Sequence, residues 1–394
     1  MTALPLIAAW PRHTIDDSLF GADGPRLADA NGDGFPDIAV AWEQSGRSRV
    51  YLHPGVAGDP RQPWRYVEAG PAPDVEDAVF ADLDADGKLD VLSCTDRHQR
   101  VIAHFAPREA DGAWETREFP VAVVPDHPWM FGVGVDLSGD GLPDPLIGGK
   151  SSRSRVAKVG WLARPADDRR NLTGWTFYSI GAVGWTMTMQ VHDFNADGRP
   201  DLLLSDRRPD AGLQGLRWLE NPGTQGGVWQ NRFIGARNRE VMFADLADLT
   251  GDAVPEVVVV THDRRLFWYQ RLSDEVWREN EIAWPGESVG RIGKSVAVGD
   301  LNGDGRADLV VSTEGATGRV GVFRLSYDKS PHEPEWRWDP VAGLGGEKFD
   351  RAVLVDLDRD HDLDVLITEE ADNNDPSARG LGIVWYENPG SGPP

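Results

Sequence analysis

The chain has 394 residues, 64 Asp and Glu against 40 Lys and Arg, a formal net charge of −24, and a single cysteine, Cys94. One cysteine excludes an intrachain disulfide, no segment approaches the ~20 consecutive apolar residues of a membrane span, and nothing in the charge pattern suggests nucleic-acid binding. Length alone would allow two or three domains, but an internal repeat overrides that prior.

The opening Met1-Thr2-Ala3-Leu4-Pro5-Leu6-Ile7-Ala8-Ala9 has no basic region and only a short apolar run, so it is a poor secretion signal. As it stands the chain reads as cytoplasmic; it reads as secreted or periplasmic if a signal has been removed. Trp10 and Ile15 follow, five positions apart. Asp29, Asn31, Asp33 and Asp37 then set oxygen donors at positions 1, 3, 5 and 9 of a loop. Gly34, at position 6, permits the positive φ of a sharp turn around an ion. Calcium is a hard cation that takes ~6–8 oxygens, which this spacing supplies.

The motif returns along the chain. It recurs as Asp82, Asp84, Asp86 and Asp90, then as Asp136, Ser138, Asp140 and Asp144, then as Asp193, Asn195, Asp197 and Asp201. The fifth copy, Asp248, Thr250, Asp252 and Glu256, has Ala253 in place of glycine and is expected to be empty or loosely occupied. Asp300, Asn302, Asp304 and Asp308 form the sixth. Asp356, Asp358, Asp360 and Asp364 form the seventh, with His361 at the glycine position. One copy alone would read equally well as a solvated turn. Seven in register, at gaps of 53, 54, 57, 55, 52 and 56 residues, favour calcium and a propeller or stacked array. The loops hold 23 of the 64 acids, which leaves 41 against 40 basic residues. The acidity is therefore local and is no argument for a basic partner.

Each loop lies between two β-like runs, A and B, such as Ser295-Val296-Ala297-Val298 and Leu309-Val310-Val311-Ser312. A third run, C, follows, as in Leu266-Phe267-Trp268-Tyr269 and Ile383-Val384-Trp385-Tyr386. A fourth, D, opens on tryptophan with an apolar residue five positions on: Trp114/Phe119, Trp175/Ile180, Trp229/Ile234, Trp277/Ile282 and Trp336/Val341, with Trp64/Ala69 a weaker case. These rings suit packing between adjacent sheets. Four strands in seven units predict an all-β fold, a single-domain seven-bladed β-propeller over 1–394. The last unit stops after its third run, and Trp10/Ile15 repeats the missing fourth. The N-terminal strand is therefore expected to complete the last blade and close the ring, which removes two open sheet edges.

These motifs, with Trp218-Leu219-Glu220-Asn221-Pro222-Gly223 and Trp385-Tyr386-Glu387-Asn388-Pro389-Gly390, resemble the FG-GAP/VCBS repeat family of calcium-binding β-propellers across essentially the whole chain. The resemblance implies the fold and several structural Ca2+ ions. It leaves function open, since similar propellers serve as adhesion modules, sugar-binding modules and carbohydrate lyases or dehydratases. A propeller of this repeat type occurs in aldos-2-ulose dehydratase, from which no catalytic residue is carried over.

Strand A runs toward the calcium loop and B away from it, so the loops share one face. The other face collects the starts of A and the ends of B. There the repeats diverge but stay charged: Asp23, Glu43, Glu76, Asp96, Lys150, Arg207, Glu240, His262, Lys294, Glu314, Lys348, Asp350 and Glu370, with Trp129 and Trp185 as aromatic surfaces. Such a rim suits a carbohydrate, rings stacking on its apolar face and charges binding its hydroxyls. Proton abstraction and β-elimination would need a base, His262 or His98; a cation for the oxyanion, Lys150, Arg207 or Lys294; and orienting acids, Asp206, Glu240 or Asp350. A histidine among these carboxylates could instead hold a second metal at the mouth. Cys94 reads as a packing residue. The chemistry expected is thus a carbohydrate lyase or dehydratase at the mouth opposite the calcium loops, in a monomer. The alternative is a non-catalytic glycan- or protein-binding module.

Overall fold

The computed structural model describes residues 9–108, 112–152, 155–371 and 379–390. Met1 to Ala8, most of the stretch read above as a poor secretion signal, lies outside them. Apart from two three-residue 3-10 turns, Leu172–Gly174 and Pro209–Ala211, the regular structure described is β-strand. The strands build the antiparallel sheets of a β-propeller. The fifth unit shows the pattern: Val241–Ala247, Glu256–Thr261, Leu266–Arg271 and Trp277–Ile282 pair in chain order as A, B, C and D.

Five sheets have this four-stranded form, and a sixth has nine strands. The ninth strand joins two four-stranded sets. In one, Ile292–Gly299, Asp308–Glu314, Val322–Ser326 and Arg337–Pro340 follow in order; in the other, Val353–Val355, Asp364–Glu370 and Gly382–Tyr386 are completed by Arg12–Asp16. The joint is the two-residue strand Lys348–Phe349, where Lys348 pairs with both Glu314 and Glu370. The N-terminal strand runs antiparallel to the last C strand, with Arg12 opposite Tyr386 and Thr14 opposite Val384.

Strand B is covered on both faces by neighbouring strands and sheets, which explains its nearly unbroken apolar runs. Asp90–Thr95, Asp201–Asp206 and Glu256–Thr261 are buried along their whole length. The D-strand rings fill the space between sheets: Trp10, Trp64, Trp175, Trp229 and Trp336 are buried, as are Ile15, Phe119, Ile180, Ile234 and Val341. Truncating such a ring to alanine costs roughly 3–5 kcal/mol. Trp129 also lies wholly in this core, packed on Phe177, with its Nε1 donating to Pro125 O. It therefore offers no stacking surface at the mouth, against the expectation from sequence.

Two sets of polar contacts stitch neighbouring units. On the loop side, a side chain after or ending strand C donates to the second-position carbonyl of the preceding unit's acidic loop. Tyr327 Oη reaches Leu249 O at 3.0 Å, Asn388 Nδ2 reaches Leu301 O at 2.8 Å, and Arg271 reaches Phe194 O. His53 Nε2 makes the same contact from the first unit to Leu357 O of the seventh, at 2.9 Å. Along the channel, Ser295 Oγ receives Ala352 N–H at 3.0 Å, Thr188 Oγ1 receives Ala244 N–H at 2.7 Å, and Arg351 donates to Pro25 O at 2.9 Å.

Asn388 is buried and also reaches Leu363 O at 3.1 Å. Asn388→Ala leaves two carbonyls without their donor and should lower unfolding free energy by about 1–3 kcal/mol in urea titrations. Arg337→Ala, which removes an exposed pair with Asp328, should change it by less than ~1 kcal/mol. Equal effects would argue against the latch.

Candidate functional site

The seven acidic loops share one geometry. The first-position carboxylate caps the turn: Asp29 receives Asp33 N–H at 3.0 Å and Gly34 N–H at 2.9 Å. Gly34 has φ +83°, and Ala253 (+65°) and His361 (+76°) hold the same left-handed conformation despite their Cβ. Ala253 N–H still reaches Asp248 at 2.9 Å, so the fifth loop keeps the shape of the first. The ninth-position carboxylate turns inward. Asp37, Asp90, Asp144, Asp201, Glu256, Asp308 and Asp364 each accept the N–H of their loop's second residue, at 2.8–3.2 Å. Asp37, Asp90, Asp201 and Asp364 also accept an N–H from just beyond strand C.

Burial, with the neighbouring loop acids, pushes Asp90 and Asp364 up to about 7 and Asp201 to about 6. Such crowding suits a hard divalent cation. Oxygens of Asp82, Asp84 and Asp86 lie within 4.8 Å of one another, as do those of Asp356, Asp358 and Asp360. Arginines border these loops as well: Arg170 Nε is 2.5 Å from Asp84, and Arg61 pairs with Asp358.

At the opposite mouth the first, sixth and seventh units converge. Lys294 Nζ lies 2.8 Å from Glu314 and 3.5 Å from Asp350. Lys348 Nζ lies 2.6 Å from Glu370. Asp23, Asp350 and Glu370 bring carboxylate oxygens within 4.8 Å of one another, all three buried. Asp350 accepts Gly24 N–H at 3.2 Å, while Asp23 Oδ2 and Glu370 Oε2 have no hydrogen-bond partner among the described residues.

Carboxylates so close cannot all ionise freely. Burial, then Glu370 and Asp350, raises Asp23 well above the carboxylate range. Burial pushes Glu370 up to about 7, against the pull of Lys348 and Lys294. Burial, then Glu43 and Asp96, pushes the neighbouring Glu76 up to about 8. Burial works on Asp350 in the same direction, but Lys294 and Lys348 overcome it and hold Asp350 below its ordinary value. Lys294 is raised in turn: burial opposes its charge, and Asp350 and Glu314 more than restore it. The mouth thus holds an ionised carboxylate and a firmly charged lysine beside carboxyls that keep protons near neutrality. That is the separation that acid–base chemistry uses.

The FG-GAP-like repeat family matches residues 29–93, 193–259 and 248–311. Those three segments carry FG-GAP-like repeats. No curated protein matches the chain. Among solved structures it is similar to BBS1N in complex with ARL6DN, soaked with mercury, at TM-score 0.52 and 9% identity over 96% of this chain and 97% of that one. The lead-soaked form of the same complex gives TM-score 0.51 and 10% identity over 96% and 98%. At that identity the likeness concerns the β-propeller fold alone.

The fold gathers only part of the residue set expected from sequence. Lys294 and Asp350 meet. Lys150 sits 2.7 Å from Asp96 in the adjacent unit, over the face of Trp185. Arg207 pairs with Glu240 at 2.5 Å and, with Arg208, also lies on Trp185, so cations cover that ring. His262 Nδ1 is 3.9 Å from Glu240, and neither residue joins the lysine cluster. His98 bonds Glu118, on the outermost strand of its sheet, at 2.7 Å, which places it on the outer edge. Asp206 is buried and engages the N–H groups of Gly184 and Trp185 and the guanidinium of Arg217, so it pins backbone. Cys94 is buried, and burial raises its thiol.

Sequence reasoning named Asp23, Glu76, Glu314, Lys348 and Glu370 on the rim but assigned them no chemistry. The available signal was the density of acids at strand ends in the first, second, sixth and seventh units.

Glu76 rises from 4.5 to about 8 on folding, so its protonation stabilises the fold fully below pH 4.5, and that contribution is lost as pH rises through 8. Glu76→Gln should melt above wild type on the alkaline side of this window, and the gain should vanish on the acid side. Parallel melting curves across the window would contradict the assignment.

Proposed function

We propose that this chain is a seven-bladed ring, braced by calcium, that takes a carbohydrate or sugar-derived molecule at the mouth opposite the loops and acts on it as a lyase or dehydratase. Three features support closure. Seven A–B–C–D sets can be traced, Arg12–Asp16 supplies the last D strand, and His53 repeats across the first and seventh units the latch made elsewhere. For calcium, the support is the donor spacing and the close approach of the loop carboxylates. Asp82, Asp84 and Asp86, and Asp356, Asp358 and Asp360, would hold the ion, with the corresponding residues of the other loops. Bound there, it would supply charge neutralisation to a hairpin turn.

One arrangement carries the chemical reading: Lys294 lies 3.5 Å from Asp350, against which Asp23 and Glu370 are crowded. Asp350 would remove the proton next to a carbonyl or carboxylate of the substrate, and Lys294 would stabilise the resulting enolate oxygen. A protonated neighbour, Glu370 or Glu76, would give its proton to the departing oxygen as the C–O bond breaks and the C=C bond forms. His98 and His262 take no part in this scheme. The second reading, a binding module without chemistry, draws on the depth of the cluster, since Asp23, Asp350 and Glu370 are all buried.

Incubation with keto-sugars and uronate polysaccharides should produce ultraviolet absorbance from a new conjugated C=C bond. Asp350→Asn should reduce the rate by about 10²–10⁴-fold while ligand still binds. Saturable binding with no absorbance change across the panel would favour the module reading. Calcium is tested separately: chelation should lower the melting temperature, and mouth function should persist until unfolding begins. Loss of function without loss of stability would place the ions in the chemistry instead.

A further inference from the structure

Below the mouth, the A strands enclose a cavity of about 440 Å3 inside the ring, within the usual range for small-molecule sites. Its wall is apolar at Phe243, Met189 and Val298 and polar at Arg26, Asp245, Gln190 and Arg351. The charges there are unequally matched. Arg26 is held by Asp77 through Nε at 2.9 Å and Nη2 at 2.5 Å. Asp245 makes no ion pair with either arginine among the described residues and accepts Gln190 Nε2 at 2.8 Å, Leu246 N–H at 2.9 Å and Val298 N–H at 3.0 Å.

Arg351 is left over. Among the described residues no carboxylate lies within ion-pair distance of it, and its one hydrogen bond is to Pro25 O, at 2.9 Å. Its guanidinium extends across the ring to 5.9 Å from the Phe243 ring centre. Burial, then the nearby Arg26, pushes it down to about 10, as expected of a cation without a close counter-ion. Gln190 supplies a second unmet group: its Oε1 is buried with no hydrogen-bond donor.

We propose that this cavity binds a small hydroxylated carboxylate, with its carboxylate on the Arg351 fork and its hydroxyls against the polar wall at Gln190 and Asp245. A planar guanidinium pairs with a planar carboxylate through two parallel hydrogen bonds. Charge favours a monoanion, because Asp245 in the wall and Asp77 beside Arg26 would repel a phosphate dianion. The aliphatic and aromatic wall accepts the carbon skeleton. The site lies on the A strands beneath the lysine cluster and holds whether or not the mouth performs chemistry.

Calorimetric titration of the full chain with D-glucuronate, D-glucose and inorganic phosphate at low ionic strength tests it. Glucuronate should bind saturably, at least about tenfold tighter than the neutral sugar or phosphate. Arg351→Met should abolish that preference. Arg351→Lys, which keeps the charge but not the fork, should retain part of it. Absence of glucuronate binding, glucose binding equally well, or unchanged affinity in Arg351→Met would each overturn the proposal. If Arg351→Met fails to fold, the Arg351→Lys affinity and the wild-type glucuronate-to-glucose ratio decide it. The Asp350→Asn elimination assay reports on the mouth separately.

Discussion

Each unit depends on one inward-turned carboxylate. Placing Asp90 or Asp364 beneath its own loop is costly, since burial raises both toward neutrality. The cost is offset because the carboxylate organises two chain segments at once, the acidic turn and the chain leaving strand C. The residue that donates to it, such as Leu249 or Leu301, presents its own carbonyl to the next unit. A single buried acid thereby couples the turn, the sheet and the sheet-to-sheet contact. The repeated antiparallel order of A and B puts all the acidic loops on one face and leaves the other free to vary from unit to unit.

On that other face, neighbouring units contribute unlike groups, and the result is electrostatic asymmetry. Lysines enter only from the sixth and seventh units near the crowded carboxylates, so Asp350 ionises while Asp23 and Glu370 resist. Farther round, Lys150, Arg207 and Arg208 gather on Trp185 and make a cationic sector. The mouth is therefore graded from proton-holding acids to aromatic-bound cations. Beneath it the channel is neutral in sum but locally unpaired at Arg351.

Much of the architecture was legible because it recurs. The valine run of residues 257–260 is a strand buried on both faces, and Trp175/Ile180 and Trp229/Ile234 are inter-sheet packing, as their period implied. The candidate site was legible only in outline. Histidine chemistry drew attention to His98, yet its strand end points to the outer edge and Glu118. Trp129 occupies a strand start like Trp185, but it turns into the core while Trp185 remains half-buried at the mouth. Asp206 sits at the end of strand B, where it pins the backbone that enters strand A of its own unit. A strand's period of two tells which residues share a face; it does not tell which face a strand end exposes after the sheet twists.

The repeat, its four strands, the acidic turns and the face on which they gather can be read from the chain alone, because each depends on contacts within about fifty residues that recur at a constant period. Only the tertiary structure decided which rim residues meet. Gly24 and Asp350 are 326 positions apart and come within hydrogen-bond distance when the first and last units pack together. The crowding of Asp23 against Asp350 and Glu370 follows from that approach. Electrostatic energy depends on distance through space, and the spacing of residues along a chain does not record it.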